Sequence, residues 1–149
     1  QGIRVVNARI GVVMSSRGGM LKKVIPLFKI GLGAPLGEGE QYLSWIAIDD
    51  LVKAFNHVLA NESLEGPVNF TSPTPVTNKD FTRSLGYHFK APVFLHAPEF
   101  VLTVLFGEMA EEMLLASQRV MPVRLIYSGF KFKHTTLEDT INFVLDAGI

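Results

Sequence analysis

The sequence predicts an α/β protein in which a partial parallel sheet from residues 3 to 71 precedes a mostly helical lobe from about residue 75. Three observations carry that expectation. Residues Ile3 to Val13 are dense in β-branched side chains and largely uncharged, the composition of a strand buried on both faces of a parallel sheet. Two further strand-like stretches, Leu43 to Ile48 and Val68 to Thr71, bracket an amphipathic helix, a β-α-β spacing that demands a parallel crossover. After Pro73 and Pro75, helical patterns dominate.

The elements follow in order. The first strand ends near Met14-Ser15-Ser16, and Gly18-Gly19 leads into a helix from Met20 to Ile30 with Leu21, Val24, Ile25 and Phe28 on one face. Pro26 lies inside that helix and is expected to kink or shorten it. Four glycines and a proline between Gly31 and Gly39 predict a loop. Asp49 is the expected N-cap of the next helix, whose stripe of Leu51, Val52, Phe55, Val58 and Leu59 is expected to face a core. Gly66-Pro67 then turns into the third strand.

In the second part Thr77 caps a helix through Asp80, Phe81 and Leu85. Helices are expected over Pro98 to Phe106, Glu108 to Ser117 and Pro122 to Ser128, with a strand stub from Phe130 to Lys133. Thr135-Thr136-Leu137-Glu138 reads as a capping box opening a final helix with Leu137, Ile141, Val144 and Leu145 inward and Gly148 as its stop. Three strands make a poor free-standing parallel sheet, so this part is expected to pack on strands and helices from further sequence. The opening Gln1-Gly2-Ile3, without an initiator Met, fits that expectation.

Composition excludes several classes. Apolar residues are 48% and charged residues 19% of the 149, which argues for one packed domain. Lys+Arg and Asp+Glu are both 14 with no basic cluster, so the footprint of a nucleic-acid binder is absent. Without cysteine there is no disulfide, thiolate chemistry or Cys-based zinc site. Charged residues, Gly or Pro interrupt each apolar run well before about 18 residues, and the N-terminus has no export signal, so a soluble, cytoplasmic chain is expected.

Several motifs are decoys. Gly31-Leu32-Gly33-Ala34-Pro35-Leu36-Gly37 approximates a dinucleotide fingerprint, yet it follows a helix instead of a strand, and Glu38 and Glu40 would repel a pyrophosphate. Tyr127-Ser128-Gly129-Phe130-Lys131 spells Tyr-x-x-x-Lys, a pair that needs one helical face, but Gly129 stops the helix between them. His57, His88, His96 and His134 lack metal-ligand spacing and are expected in surface or hydrogen-bonded roles. Glu108, Glu111 and Glu112 read as a solvated helix face. Arg9 and Gly11 interrupt an apolar run, and two readings stand equally. Arg9 is a strand-end charge and Gly11 packs on a helix, or both lie where a ligand or another backbone approaches the strands' carboxyl ends. Trp45, the sole tryptophan, either fills core or walls a cleft with its indole N–H.

The ordered set Arg9-Ile10-Gly11-Val12-Val13-Met14-Ser15, Gly18-Gly19-Met20-Leu21, Gly31 to Gly37, Ser44-Trp45-Ile46-Ala47-Ile48-Asp49-Asp50-Leu51, Gly66 to Thr71, Pro75-Val76-Thr77-Asn78, Gly107-Glu108-Met109-Ala110 and Gln118-Arg119-Val120 resembles the C-terminal half of atypical extended short-chain dehydrogenases/reductases. These are the epimerase-family proteins of the NAD-dependent epimerase/dehydratase superfamily. The resemblance covers essentially the whole chain, and its strength lies in the order of the motifs rather than in any one of them.

It implies a Rossmann-like NAD(P)-binding fold whose missing N-terminal half supplies the Gly-rich turn and any catalytic Tyr and Lys. Residues 1–74 would be the last strands and helices, with 16–40 contributing to the substrate lobe, and 75–149 the helical substrate-side lobe. Arg9, Gly11 and Val12 would lie by the nicotinamide of NAD or NADP, and Met20, Gln41, Ser44 and Trp45 would face a small-molecule substrate. Position 47, often His in relatives, is Ala47, which removes any hydrogen bond made from there. The resemblance implies an epimerase or oxidoreductase on a small polar or nucleotide-linked substrate, inactive and without cofactor as this chain alone. Its alternative is a non-catalytic binding protein, since relatives are commonly labelled cell-division inhibitors and some plant members are tied to plastid division. Neither nucleic acid, membrane nor metal is expected as a partner, and the orphaned sheet is expected to favour homodimers.

Overall fold

A computed structural model describes residues 2–93 and 117–149. Six short strands and five helices follow one another among these residues. They are β1 (Val6–Ile10), β2 (Val12–Met14), α1 (Gly19–Lys29), β3 (Tyr42–Leu43), β4 (Trp45–Ala47), α2 (Ile48–Ala60), β5 (Gly66–Phe70), β6 (Val76–Thr77), α3 (Asn78–Phe89), α4 (Val123–Tyr127) and α5 (Leu137–Asp146). The helices expected over Pro98 to Phe106 and Glu108 to Ser117 fall outside the described residues, apart from Ser117 itself.

The fold is α/β with parallel pairing, as the spacing requires, but the long first strand is two. β1 runs parallel to β5 with Val6 opposite Gly66 and Ile10 opposite Phe70, whereas β2 runs parallel to β4 with Val12 opposite Trp45. The change of neighbour happens at Gly11, whose N–H donates to the Phe70 carbonyl at 3.1 Å while the next N–H, of Val12, donates to the Ser44 carbonyl at 2.8 Å. The second expected strand is also two, because Ser44 interrupts it. β3 pairs antiparallel with β6, and β4 turns to β2. Nor is β1 buried on both faces: its residues from Asn7 to Ile10 are exposed, and among the described residues no strand pairs with its second edge.

Two apolar cores lie on opposite sides of β2 and β4. Trp45, with Met14, packs against Leu21, Val24 and Phe28 of α1, Phe81 and Leu85 of α3, and Leu137, Ile141 and Val144 of α5. Ile46, one residue on, enters the second core with Leu51, Ala54 and Val58 of α2, Val68 and Phe70 of β5, and Leu125 of α4. Strand alternation places those two neighbours on opposite faces. The first core draws on residues from both sides of residue 74. Arg4 ties the chain ahead of β1 to the end of α2, its guanidinium donating to the Val58, Leu59 and Leu64 carbonyls, the last at 2.8 Å. A cation at that end also complements the helix dipole.

Local signals hold where capping chemistry decides. The Thr77 hydroxyl accepts the Asp80 N–H, and α3 follows. Gly129 takes a φ of 84° and ends α4, so Tyr127 and Lys131 do not share a helix. Three expectations are corrected by tertiary partners. α1 runs on through Pro26 to Lys29 rather than shortening. Asp49 is not the N-cap of α2; Ala47 is, and Asp49 and Asp50 fall in the first turn. Along α2 only Leu51 and Val58 of the expected stripe are buried with Ala54, while Val52, Phe55 and Leu59 are exposed.

Phe130 to Lys133 forms no strand. Its backbone is drawn instead to Asp50, whose carboxylate accepts the Lys133 and His134 N–H groups. The last capping box is shifted by one residue: Thr136 accepts the Asp139 N–H and donates from its hydroxyl to the Asp139 carboxylate, so Thr135 and Glu138 are not its members.

Candidate functional site

Where the β1–β2 segment exchanges β5 for β4 as its pairing partner, a groove lies at the carboxyl ends of β1 and β5, the place where open α/β sheets bind ligands. It has two adjoining compartments of about 280 and 290 Å³. Ile10, Gly11, Ser44 and Gln118 line both. Arg9, Asn69, Thr71 and Val120 complete the first, and Val12, Tyr42 and Leu43 the second. The first is polar and carries one cation; the second offers a tyrosine ring and aliphatic walls.

Gly11 is required by the close approach of a backbone. A Cβ built there would lie 2.6 Å from the Ser44 carbonyl oxygen and 3.0 Å from the Thr71 methyl. Of the two readings of this glycine, an approaching backbone is the one observed. Arg9 and Asn69 are register partners on β1 and β5, which brings their side chains to one end of the groove.

Residues 117–121 cross the strand ends as a strap. The Tyr42 N–H donates to the Ser117 hydroxyl, and the Gln118 N–H donates back to the Tyr42 carbonyl. Ser44 then uses its hydroxyl twice, donating to the Gln118 carbonyl at 2.6 Å and accepting the Val120 N–H at 2.8 Å. Thr71 donates to the Val120 carbonyl, Asn69 to that of Met121, and the Arg119 guanidinium lies 5.0 Å from the centre of the Tyr42 ring. A cation over an aromatic face adds to that hold.

Of the seven expected site residues, Arg9, Gly11, Val12 and Ser44 meet in the groove. Met20, Gln41 and Trp45 do not line it. Met20 packs half-buried against the first core, and Gln41 donates its side-chain amide to the Leu36 carbonyl. Trp45 is fully buried, with its indole N–H donated to the Thr74 carbonyl at 2.8 Å. Sequence reasoning passed over Asn69, Thr71 and Gln118. Asn69 and Thr71 did leave a signal, being polar residues that flank inward-facing Phe70 in a short strand, with Asn69 also between Val68 and Phe70.

A second polar cluster lies away from the groove. Asp50, fully buried, accepts backbone N–H groups from Lys133 at 3.0 Å and His134 at 2.8 Å. Beside it, the His134 ring donates to Asp49 at 2.9 Å and the Lys133 ammonium lies 3.4 Å away. Burial works to raise the Asp49 pKa, but the hydrogen bonds and charge interactions with His134 and then Lys133 outweigh it and hold the carboxyl below its ordinary value. His57 donates to the Ser128 hydroxyl and His88 to Asn142, so each of the three described histidines is engaged in a hydrogen bond. Among the described residues no group of three His, Asp or Glu could hold a metal ion, and no helix is long and apolar enough to cross a membrane.

Known proteins share this chain's sequence and fold. Residues 97–144 match a family described as a domain of unknown function (DUF1731). An epimerase family protein of Mycobacterium tuberculosis is 46% identical over 142 residues, which are 95% of this chain and 47% of the relative. A chloroplastic Arabidopsis thaliana homolog of epimerase family protein SDR39U1 is 40% identical over 96% of this chain and 41% of its own length. The crystal structure of human epimerase family protein SDR39U1 (isoform 2) with NADPH superposes with a TM-score of 0.86 at 31% identity, covering 96% of this chain and 48% of that one. A nucleoside-diphosphate sugar epimerase from Corynebacterium glutamicum gives 0.74 at 34% identity, covering 95% and 26%.

The fold is therefore that of the extended short-chain dehydrogenases/reductases, with their Rossmann-like architecture. Within that class the chain is similar to epimerase family proteins, and it spans about half the length of the curated relatives it matches.

Proposed function

We propose that this chain is the C-terminal, substrate-side half of an NAD(P)-dependent epimerase- or reductase-like protein acting in the cytoplasm on a small polar or nucleotide-linked substrate. The observation that carries the reading is the groove at the switch from β5 to β4, lined by Arg9, Gly11, Val12 and Ser44. Two compartments of about 280 and 290 Å³ suit the nicotinamide end of a dinucleotide beside a second small group. The Gly31–Gly37 loop does not suit the pyrophosphate, because it follows the end of α1 and opens no helix. When bound, the dinucleotide supplies hydride transfer.

In this reading Arg9, Gly11 and Val12 lie by the nicotinamide, the 117–121 strap borders both the nicotinamide and the substrate, and the rest of residues 75–149 shapes the substrate side. Met20, within the 16–40 contribution to that side, and Gln41, just after it, support it from around the groove, and Trp45 supports it from the core. An N-terminal half would bring the Gly-rich turn and any catalytic Tyr and Lys. The edge of β1 that has no partner among the described residues and the exposed Val52, Phe55 and Leu59 of α2 provide surface for it to cover.

A second reading, a binding protein without catalysis, uses the same groove. Among the described residues Tyr42 is the sole groove-lining side chain suited to proton exchange. Calorimetry with NADPH tests the main reading. The joined protein is expected to bind at micromolar concentration and the chain alone not to bind; the reverse pattern, or no binding by either, overturns it. Oxidation of bound NADPH on adding nucleoside-diphosphate keto-sugars, whose carbonyl accepts the hydride and becomes the alcohol, would separate an enzyme from a binding module.

A further inference from the structure

We propose that Ser44 is a positioning residue, which holds the 117–121 strap so that the Gln118 side chain meets a ligand where the two compartments join; the proposal rests on the reading of the groove given above. Ser44 is 7% exposed, and both capacities of its hydroxyl are used within the protein, donating to the Gln118 carbonyl and accepting from the Val120 N–H. A hydroxyl so committed has little left to offer a substrate. Its main chain serves the other wall, since the Ser44 carbonyl accepts the Val12 N–H and abuts Gly11. One residue thereby spaces the strap from the β1–β2 junction and fixes the width between them.

What the clamp presents is Gln118. Four residues line both compartments: Ile10 is apolar, Gly11 has no side chain and Ser44 is committed. Among the described residues no hydrogen bond engages the Gln118 side-chain amide, whereas its backbone is held on both sides, by Tyr42 and by Ser44. A carboxamide offers donors and acceptors together, so it suits a ligand group that carries both, such as a hydroxyl or another amide.

The experiment uses the joined protein, with NADPH as probe and amide hydrogen exchange as the reporter of the strap. In Ser44→Ala the Val120 amide is expected to exchange about tenfold faster and the NADPH dissociation constant to rise by about tenfold, the size of one lost hydrogen bond. Ser44→Thr, which keeps the hydroxyl, is expected to restore both. Gln118→Ala is expected to weaken NADPH similarly while leaving Val120 protected. Unchanged Val120 exchange in Ser44→Ala overturns the clamp, and faster exchange with wild-type NADPH affinity overturns the link from clamp to ligand. If the unsubstituted joined protein binds no NADPH, the functional reading itself fails and takes this one with it.

Discussion

The carboxylate of Asp50 and the backbone N–H of His134, 84 residues apart in sequence, meet at 2.8 Å in a fully buried position. The same carboxylate takes the Lys133 N–H on both oxygens, at 3.0 and 3.1 Å. Asp50→Ala leaves these donors without their acceptor and is expected to destabilise by about 3 kcal/mol or more, because hydrogen bonds to a buried charge are among the costliest to lose. Urea midpoints check the value, with Asp50→Asn expected to fall between the two.

Asp49 makes stability depend on acid. Its folded pKa lies below the ordinary value, so its contribution is present above the unfolded pKa and fades as pH falls towards the folded one. His134→Gln is expected to shrink that acid-side slope, leaving a weaker dependence below about pH 4. Thermal melts across the acid range measure it, and an unaltered slope would count against the Asp49–His134 contact as its source.

Gly11→Ala places a methyl 2.6 Å from a backbone oxygen that has no flexible side chain to yield. A cost of about 1–3 kcal/mol is expected, with loss of the β2–β4 pairing before β1–β5 in hydrogen exchange. Gly2→Ala, where the added methyl meets nothing within 4 Å, serves as the neutral control.

Trp45→Phe removes the indole N–H from the Thr74 carbonyl and some volume from the first core. About 1–3 kcal/mol of stability should go, with NADPH affinity per folded molecule unchanged in the joined protein. Weaker NADPH at an unchanged melting temperature would return Trp45 to the cleft wall.

The chain alone is expected to self-associate through β1, whose second edge has no partner among the described residues and whose leading Ile3 and Val5 are exposed. Light scattering should show dimers that Ile3→Lys with Val5→Lys disperses. A clean monomer before substitution removes the expectation.

How much of this was legible depends on the reach of each signal. Thr77 with Asp80, Gly129, and the Leu137, Ile141, Val144 stripe act within one or two turns, and the sequence carries them intact. The parallel crossover was legible from spacing and the groove's Arg9 and Gly11 from their misfit in an apolar run. The breaks at Gly11 and Ser44 were not, because each exists to serve a partner strand or strap far along the chain. Nor was the absence of a strand at Phe130 to Lys133, where local alternation loses to a buried carboxylate contributed by α2. Exposure of three of the five residues in the α2 stripe escaped periodicity for a related reason: a pattern shows which face is apolar and not which chain will cover it.

Arg4 adds a directional constraint. With its guanidinium spread over two carbonyls at the end of α2 and the Leu64 carbonyl beyond it, the polypeptide arriving at β1 has a set angle of entry ahead of the sheet. An upstream half joined by a loose linker inherits that heading from the junction itself, whereas a fusion that trims through Arg4 must find its docking orientation from the sheet alone.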